Sequence, residues 1–351
     1  MLEIINKIRK ISAFKKDGFE VIFVGVPIKK SENIISLRDA TEKKLVEVSE
    51  VMTPLPDVGP RVEILSRSVD SQELENQRAR VIPVEIRELT IGGEVSALKI
   101  RNLSDKFIVA FRGDILIGGK QNRTLVTTVI LAPHSEQKVP VSCVEAGRWS
   151  FMSKSMKQNL RLPQLMKLQN MAFESRLESR SQLLGHPSRR ELQQVVWDNI
   201  EKRLNALKIA SPTKDITKAI SENVTPDMFP VPEGTTGIIF IFDGKVIGGE
   251  IYFIPINESY LKESIISAYI DYLYYKQSKM DIKSPIGGID ELLNALKNAI
   301  IEERDSLFAE RVSYVHSSSV RGFITYLKDT PVFFEFSIVE EEKQSGDLTY
   351  T

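Results

Sequence analysis

The sequence predicts an α+β protein, and three observations predict it. Residues 94–145 hold five short β-type runs separated by turn chemistry. Beyond Trp149 the apolar spacing changes to the helical period. A second β region opens at residue 237, and the chain closes on further strands. Strands this closely spaced pair antiparallel, because parallel pairing needs long crossovers. The expected organisation is a β-rich unit over 1–150, with an irregular insertion at 52–92, and then a helical segment over 151–225. A smaller α+β unit over 226–351 follows, and the two β units are open to packing as one body.

Taken in order, "FEVIFVGVPI" (19–28) is a β-branched and aromatic run ended by polar residues, and reads as a strand. "SLRDATEKKLVEVSE" reads as a short helix leading into a strand. Residues 52–92 carry prolines, mixed charge and weak periodicity, with strand candidates at "RVEILSR" and "RVIPVEI". The five runs that follow are "VSALKIRN", "KFIVAFR", "DILIGG", "TLVTTVILA" and "QKVPVSCVE". Gly113-Asp114 between two of them is a two-residue hairpin signal, and "APHSEQ" is a turn joining the last two.

Residues 152–184 are Leu/Met-rich and basic, and read as helical with a break near Pro163. "SRRELQQVVWDNIEKRLNAL" is the clearest helix. Ser188 and Glu191 form a capping box, and Leu192, Val195, Val196, Ile200, Leu204 and Leu207 form one apolar stripe. "SPTKDITKAI" starts a shorter helix with Ser211 as its cap and Pro212 in the first turn. "GIIFIFDGKVIGGEIYFI" is a β hairpin. "SYLKESIISAYIDYLYY" is an amphipathic helix with Leu261, Ile265, Ala268, Tyr269, Tyr272 and Leu273 on its apolar side. Asp290 is expected to cap one more helix, and "KDTP" to join the closing strands.

At 351 residues the chain can form one large or two ordinary domains. Lys+Arg and Asp+Glu both number 47, so no global field draws in nucleic acid or an anionic membrane. Between Lys154 and Lys208 there are 11 basic residues against 5 acidic ones, an excess that fits a solvated helical face, since only Phe173 and Trp197 are aromatic there. The single cysteine, Cys143, excludes an internal disulfide and a cysteine-rich zinc site. His134, His186 and His316 form no metal-ligand spacing, so no metal and no cofactor are expected. The charged N-terminus is not a secretory signal, and no apolar run reaches a membrane-spanning length. The expectation is therefore a cytoplasmic protein.

The stretch "GDILIGGKQNR" (113–123) resembles a phosphate loop at first sight. The Walker spacing fails, however: five residues separate Gly113 from Gly119, and Gln121 follows Lys120 where Ser or Thr is needed. An internal comparison explains the glycines better. At an offset of 130 residues, Ile117-Gly118-Gly119 lies over Ile247-Gly248-Gly249, and both copies read as strand, turn, strand and double glycine. Only the first copy continues into Lys120-Gln121-Asn122-Arg123, so any function lies after the glycines.

"GDILIGGKQNRTLVTTVILAPHSEQKVPVSCVEAGRW" resembles the core of the ARPP family, the domain named for its association with ADP-ribosylglycohydrolases and rhodanese-phosphatases. "ISLRDATEKKLVEVSE" and "LQQVVWDNIEKRLNALKIASPT" are similar to two further pieces of that family. The resemblance implies links to nucleotide or ADP-ribose metabolism and to prokaryotic conflict systems, but no particular reaction. Val126 stands where the family has Asn, and Ala146 where it has Gln, so two polar groups are lost here.

If "TLVTTVILA" and "KVPVSCVE" pair through the "PHSE" turn, Arg123 and Glu145 come to the same end of the ladder. One outcome is a polar pocket for a nucleotide or ADP-ribose-like ligand. In it Lys120 and Arg123 bind an anionic group, Gln121 and Asn122 hydrogen-bond a sugar or base, and Ser142 and Arg148 complete the lining. Glu145 would then be general base or ribose ligand. The other outcome is an Arg123–Glu145 ion pair with amides tying down irregular backbone. Cys143 alternates with Val139 and Val141 and is expected to face the core. A different class of function, a non-catalytic module docking a protein or nucleic acid through the basic helices at 152–208, is the alternative.

Overall fold

A computed structural model describes residues 2–28, 33–50, 97–148, 150, 152–153, 155–167, 189–223, 226–279, 281–304, 306, 308–309 and 311–339. It is an α+β structure in which antiparallel pairing dominates. The expected strands within 52–92, Trp149 and all of 168–188, the Ser188 cap included, lie outside those residues.

The largest sheet has eight strands and joins the two ends of the chain. Its N-terminal hairpin is β1 (Arg9–Lys16) and β2 (Phe19–Gly25). β2 pairs antiparallel with Gly237–Phe242, so Val21 lies opposite Phe240 and Phe23 opposite Ile238. The β12–β13 hairpin (Gly237–Phe242 and Lys245–Tyr252) forms as its sequence predicts. Its turn residues Asp243 and Gly244 have φ of 47° and 80°, the pattern of a tight primed turn. β17 (Thr330–Ile338), β16 (Val320–Leu327), β15 (Arg311–His316) and β14 (Ile300–Arg304) complete the sheet. The strands β1 and β14 were not evident in the sequence pattern; both are edge strands with mostly exposed side chains.

Both faces of this sheet are covered, which is why β12 is apolar at every position where a half-exposed strand would alternate. One face, carrying Ile22, Val24, Ile239, Phe334 and Phe336, packs against Leu292 and Leu296 of the helix Ile289–Lys297. That helix is capped by Gly288 without a side-chain bond; Asp290 lies inside its first turn. The other face, with Phe19, Phe240 and Phe333, packs against the helix Glu258–Ser278. This helix was expected to be amphipathic. It is instead buried on nearly all sides, including Glu263, Ser264, Ser267 and Asp271, because it lies between the large sheet and a second layer of strands.

That second layer holds a six-stranded sheet: β11 (Lys157–Arg161), β7 (Asp114–Ile117), β8 (Arg123–Leu125), β10 (Glu136–Cys143), β5 (Ala97–Asn102) and β4 (Val46–Glu50). A three-stranded sheet of β3 (Ile34–Ser36), β6 (Phe107–Ala110) and β9 (Val129–Leu131) adjoins it. Ser36 caps the helix Leu37–Glu42 by accepting the Asp39 N–H, as the short-helix reading requires.

Five expectations are corrected here. Gly113-Asp114 is not a hairpin, since β6 and β7 belong to different sheets. It is a corner: the Asp114 N–H donates to the Phe111 carbonyl at 3.0 Å, Gly113 has φ 79°, and the Asp114 carboxylate accepts the Phe111 N–H. "TLVTTVILA" is two strands in two sheets, because Val126–Thr128 turns the chain with no glycine or proline to mark it. Residues 157–161, read as helical, form β11, whose Leu and Arg side chains meet the buried face of β7. The helix Arg189–Ala206 buries Val196, Ile200 and Leu204 but leaves Val195 exposed. The next helix, Ile216–Asn223, is capped by Asp215, which accepts the Thr217 N–H, and Ser211 in turn accepts the Asp215 N–H.

Candidate functional site

Register brings the expected residues together. β8 and β10 pair so that Cys143 lies opposite Arg123 and Ser142 opposite Thr124. The ladder continues into the loops, where the Val144 N–H donates to the Asn122 carbonyl at 3.0 Å. Lys120, Gln121, Asn122, Arg123, Cys143 and Glu145 are all buried, and Ser142 and Arg148 are half-buried. Strand alternation directs Ser142 to the face opposite Cys143.

The expected Arg123–Glu145 pair is not the one that forms. Glu145 pairs with Arg148 at 2.7 Å, and its carboxylate also accepts the Asn122 N–H at 3.1 Å. Arg148 reaches on to the carbonyls of Gly119 and Ser150 at 2.8 and 3.0 Å and to the Asn122 amide oxygen at 3.2 Å. Asn122 also bonds backbone and side chain, with Oδ1 accepting the Gly118 N–H and Nδ2 donating to Asp215 Oδ2. Gln121 Nε2 donates to the Ala146 carbonyl. These groups hold the double glycine in its left-handed course, with φ of 130° at Gly118 and 57° at Gly119.

Arg123 is held differently. Its Nη1 donates to Gln121 Oε1 and to Cys143 Sγ, both at 2.7 Å. Its Nε has no hydrogen-bond partner among the described residues, and Nη2 stands 3.9 Å from Glu50 Oε1. Glu50 Oε1 is itself taken by the Lys120 N–H at 2.6 Å. Burial pushes the Cys143 thiol up to about 11, against the pull of Arg123. Burial also raises the Asp215 carboxyl, although the Thr217 bonds oppose it. A buried protonated thiol is a small apolar group here, as its alternation with Val139 and Val141 predicts.

A second polar assembly was not foreseen. Between the sheets, Arg161 of β11 is fully buried and bonds Asp114 Oδ1 at 2.6 Å, Glu250 Oε1 at 2.7 Å and Ser264 Oγ at 3.2 Å. Tyr260 shares the same Asp114 oxygen, and Lys167 reaches the same Glu250 oxygen. The other Glu250 oxygen accepts from Tyr252 at 2.5 Å and Ser264 at 2.8 Å. Across the strand pair, Glu335 takes Arg112 Nε at 2.5 Å. Burial alone raises the Glu250 carboxyl, yet Arg161 and Lys167 overcome that and hold it well below the usual carboxylate range. Asp114 and Glu335 are raised by burial, with Arg161 and Arg112 offsetting it only in part. No sequence spacing could have grouped these residues. Their one local signal was a charged side chain within an apolar run, as at Glu250.

The sequence model of the ARPP-1 domain (ARG and Rhodanese-Phosphatase-superfamily-associated Protein domain) matches residues 12–334. No curated protein and no solved structure matches. The match covers every described strand of both sheets from β2 on except the end of β17, and the chain belongs to that family.

Proposed function

We propose that this ARPP-1 family member binds a nucleotide or ADP-ribose-like small molecule at the corner formed by residues 120–123 and 142–148. The observation that carries the reading is Arg123 Nε, buried and without a hydrogen-bond partner among the described residues, on the same edge of the guanidinium as Nη2, which stands 3.9 Å from Glu50 Oε1. That edge presents two parallel N–H groups, the geometry that matches two oxygens of a phosphate or carboxylate. A buried donor left unmatched costs about 1–3 kcal/mol, and an incoming acceptor removes that cost.

The other residues take graded roles. Lys120 brings its backbone N–H to the Glu50 carboxylate beside the fork, while Gln121 bonds Arg123 Nη1 and Asn122 holds the Gly118 N–H. Glu145 and Arg148 shape the loop. For Glu145 to act as a base, Arg148 would first have to leave it. Ser142 lies on the outer face of β10 and bounds the site without reaching the fork.

A thermal-shift series with ADP-ribose, NAD and nucleotides tests the reading. At least one should stabilise the wild-type protein, and Arg123→Lys, which keeps the charge but loses the fork, should abolish the shift. No shift with any of them, beside salt-sensitive binding of RNA or DNA, would replace it with the docking reading of residues 152–208.

A further inference from the structure

Glu50, the last residue of β4, brings a carboxylate into this corner. Its Oε1 lies within ion-pair range of Arg123 Nη2 at 3.9 Å but outside hydrogen-bond distance. The same oxygen accepts the Lys120 N–H at 2.6 Å. Gly119 makes room for it: a Cβ there would lie 2.7 Å from that oxygen. The side chain is nearly as buried as the guanidinium, at 8% against 4% exposed. Glu50 is therefore an anion seated next to an arginine edge that it does not grip.

We propose that Glu50 is the resident counter-anion of the Arg123 fork, and that an oxyanion of the ligand, phosphate or carboxylate, binds by displacing it. This rests on the binding reading above. When Glu50 swings out, Arg123 Nη2 and the Lys120 N–H exchange its carboxylate for the ligand's, and with Arg123 Nε they form three donors around one oxyanion. Glu50 then sets affinity in two ways. It lowers the cost of the buried arginine in the unliganded protein, and it competes with the incoming anion. A competitor of this kind favours ligands with stronger acceptors than a lone carboxylate, such as a phosphate whose oxygens engage all three donors.

Inorganic pyrophosphate and ADP-ribose serve as probes, with affinity measured by calorimetry on the full chain. Glu50→Gln keeps the acceptor for the Lys120 N–H and removes the charge. It should bind pyrophosphate about fivefold or more tightly than wild type. Arg123→Lys should lose binding in either background. Arginine Nε–H resonances of the wild-type protein give a readout that needs no variant, because the Arg123 signal should shift on titration. If Arg123→Lys loses binding but Glu50→Gln binds equally or more weakly, the displacement is wrong and the Arg123 site stands. If binding survives in Arg123→Lys, or no probe binds and no Nε–H signal moves, both readings fall.

Discussion

The corner at 118–123 and the layer around Arg161 bury similar sets of charged groups but use them differently. In the corner, side chains hold backbone: Arg148 takes the Gly119 and Ser150 carbonyls, Glu145 takes the Asn122 N–H and Gln121 the Ala146 carbonyl. In the layer, side chains mainly hold one another: Arg161, Lys167, Tyr252 and Ser264 converge on Glu250, while Tyr260 and Arg161 share Asp114. The first arrangement fixes a loop. The second fixes three layers of the fold against each other, since its members come from both sheets and the central helix. A corner whose charges mostly bind backbone can still keep one arginine edge for a ligand. In the layer, Arg161, Lys167 and Glu250 are spent on one another.

The largest expected effect falls on the layer. Arg161→Met leaves Asp114 and Glu250 short of their shared cation in a dry interior, and should cost about 3–5 kcal/mol in chemical denaturation. Arg148→Ala in the corner should cost less, about 1–3 kcal/mol, because Arg148 is itself only half-buried. If the two losses are equal, the distinction between loop-building and layer-locking charges fails.

The smallest effect concerns Cys143 and pH. Its folded pKa is raised from 9 to about 11, so the folded state keeps a proton that the unfolded state loses first. Its contribution to stability is whole below pH 9 and should fade as pH rises through about 11. The pH dependence of alkylation should place the thiol's midpoint near 11 in the native protein, and Cys143→Ala should flatten stability over that range. A midpoint near 9 would mean the thiol is not sealed behind Arg123.

These two regions also mark where sequence reasoning succeeds. The corner was legible because its residues lie in two short runs, and a β ladder brings Arg123 and Cys143 opposite. Its partners Glu50 and Asp215 were not legible, since each lies in an element whose own pattern gives it another role: a strand end and a helix cap. The layer was invisible for the same reason carried further, as Arg161 and Glu250 meet only after the sheets stack.

The double glycines sharpen the point. Gly118-Gly119 and Gly248-Gly249 share letters but not purpose. The first pair bends a loop at positive φ. The second lies in β13, where a Cβ on Gly248 would meet the Phe336 carbonyl at 2.5 Å and one on Gly249 the Ile238 carbonyl at 2.6 Å. Of the two apparent hairpins, only the second is one, because a turn-like sequence cannot say whether the strands it joins remain partners.

The pairing of β2 with β12 has a consequence for the birth of the protein. A ribosome releases Phe19–Gly25 long before Gly237–Phe242 exists, so a strand of almost continuous apolar residues waits with one edge unmatched. Contacts so distant along the chain form slowly, and for that interval β1 is the neighbour that shields β2. Basic Arg9, Lys10, Lys15 and Lys16 along β1 make the hairpin's other edge, which stays an edge of the finished sheet, a poor template for other nascent chains.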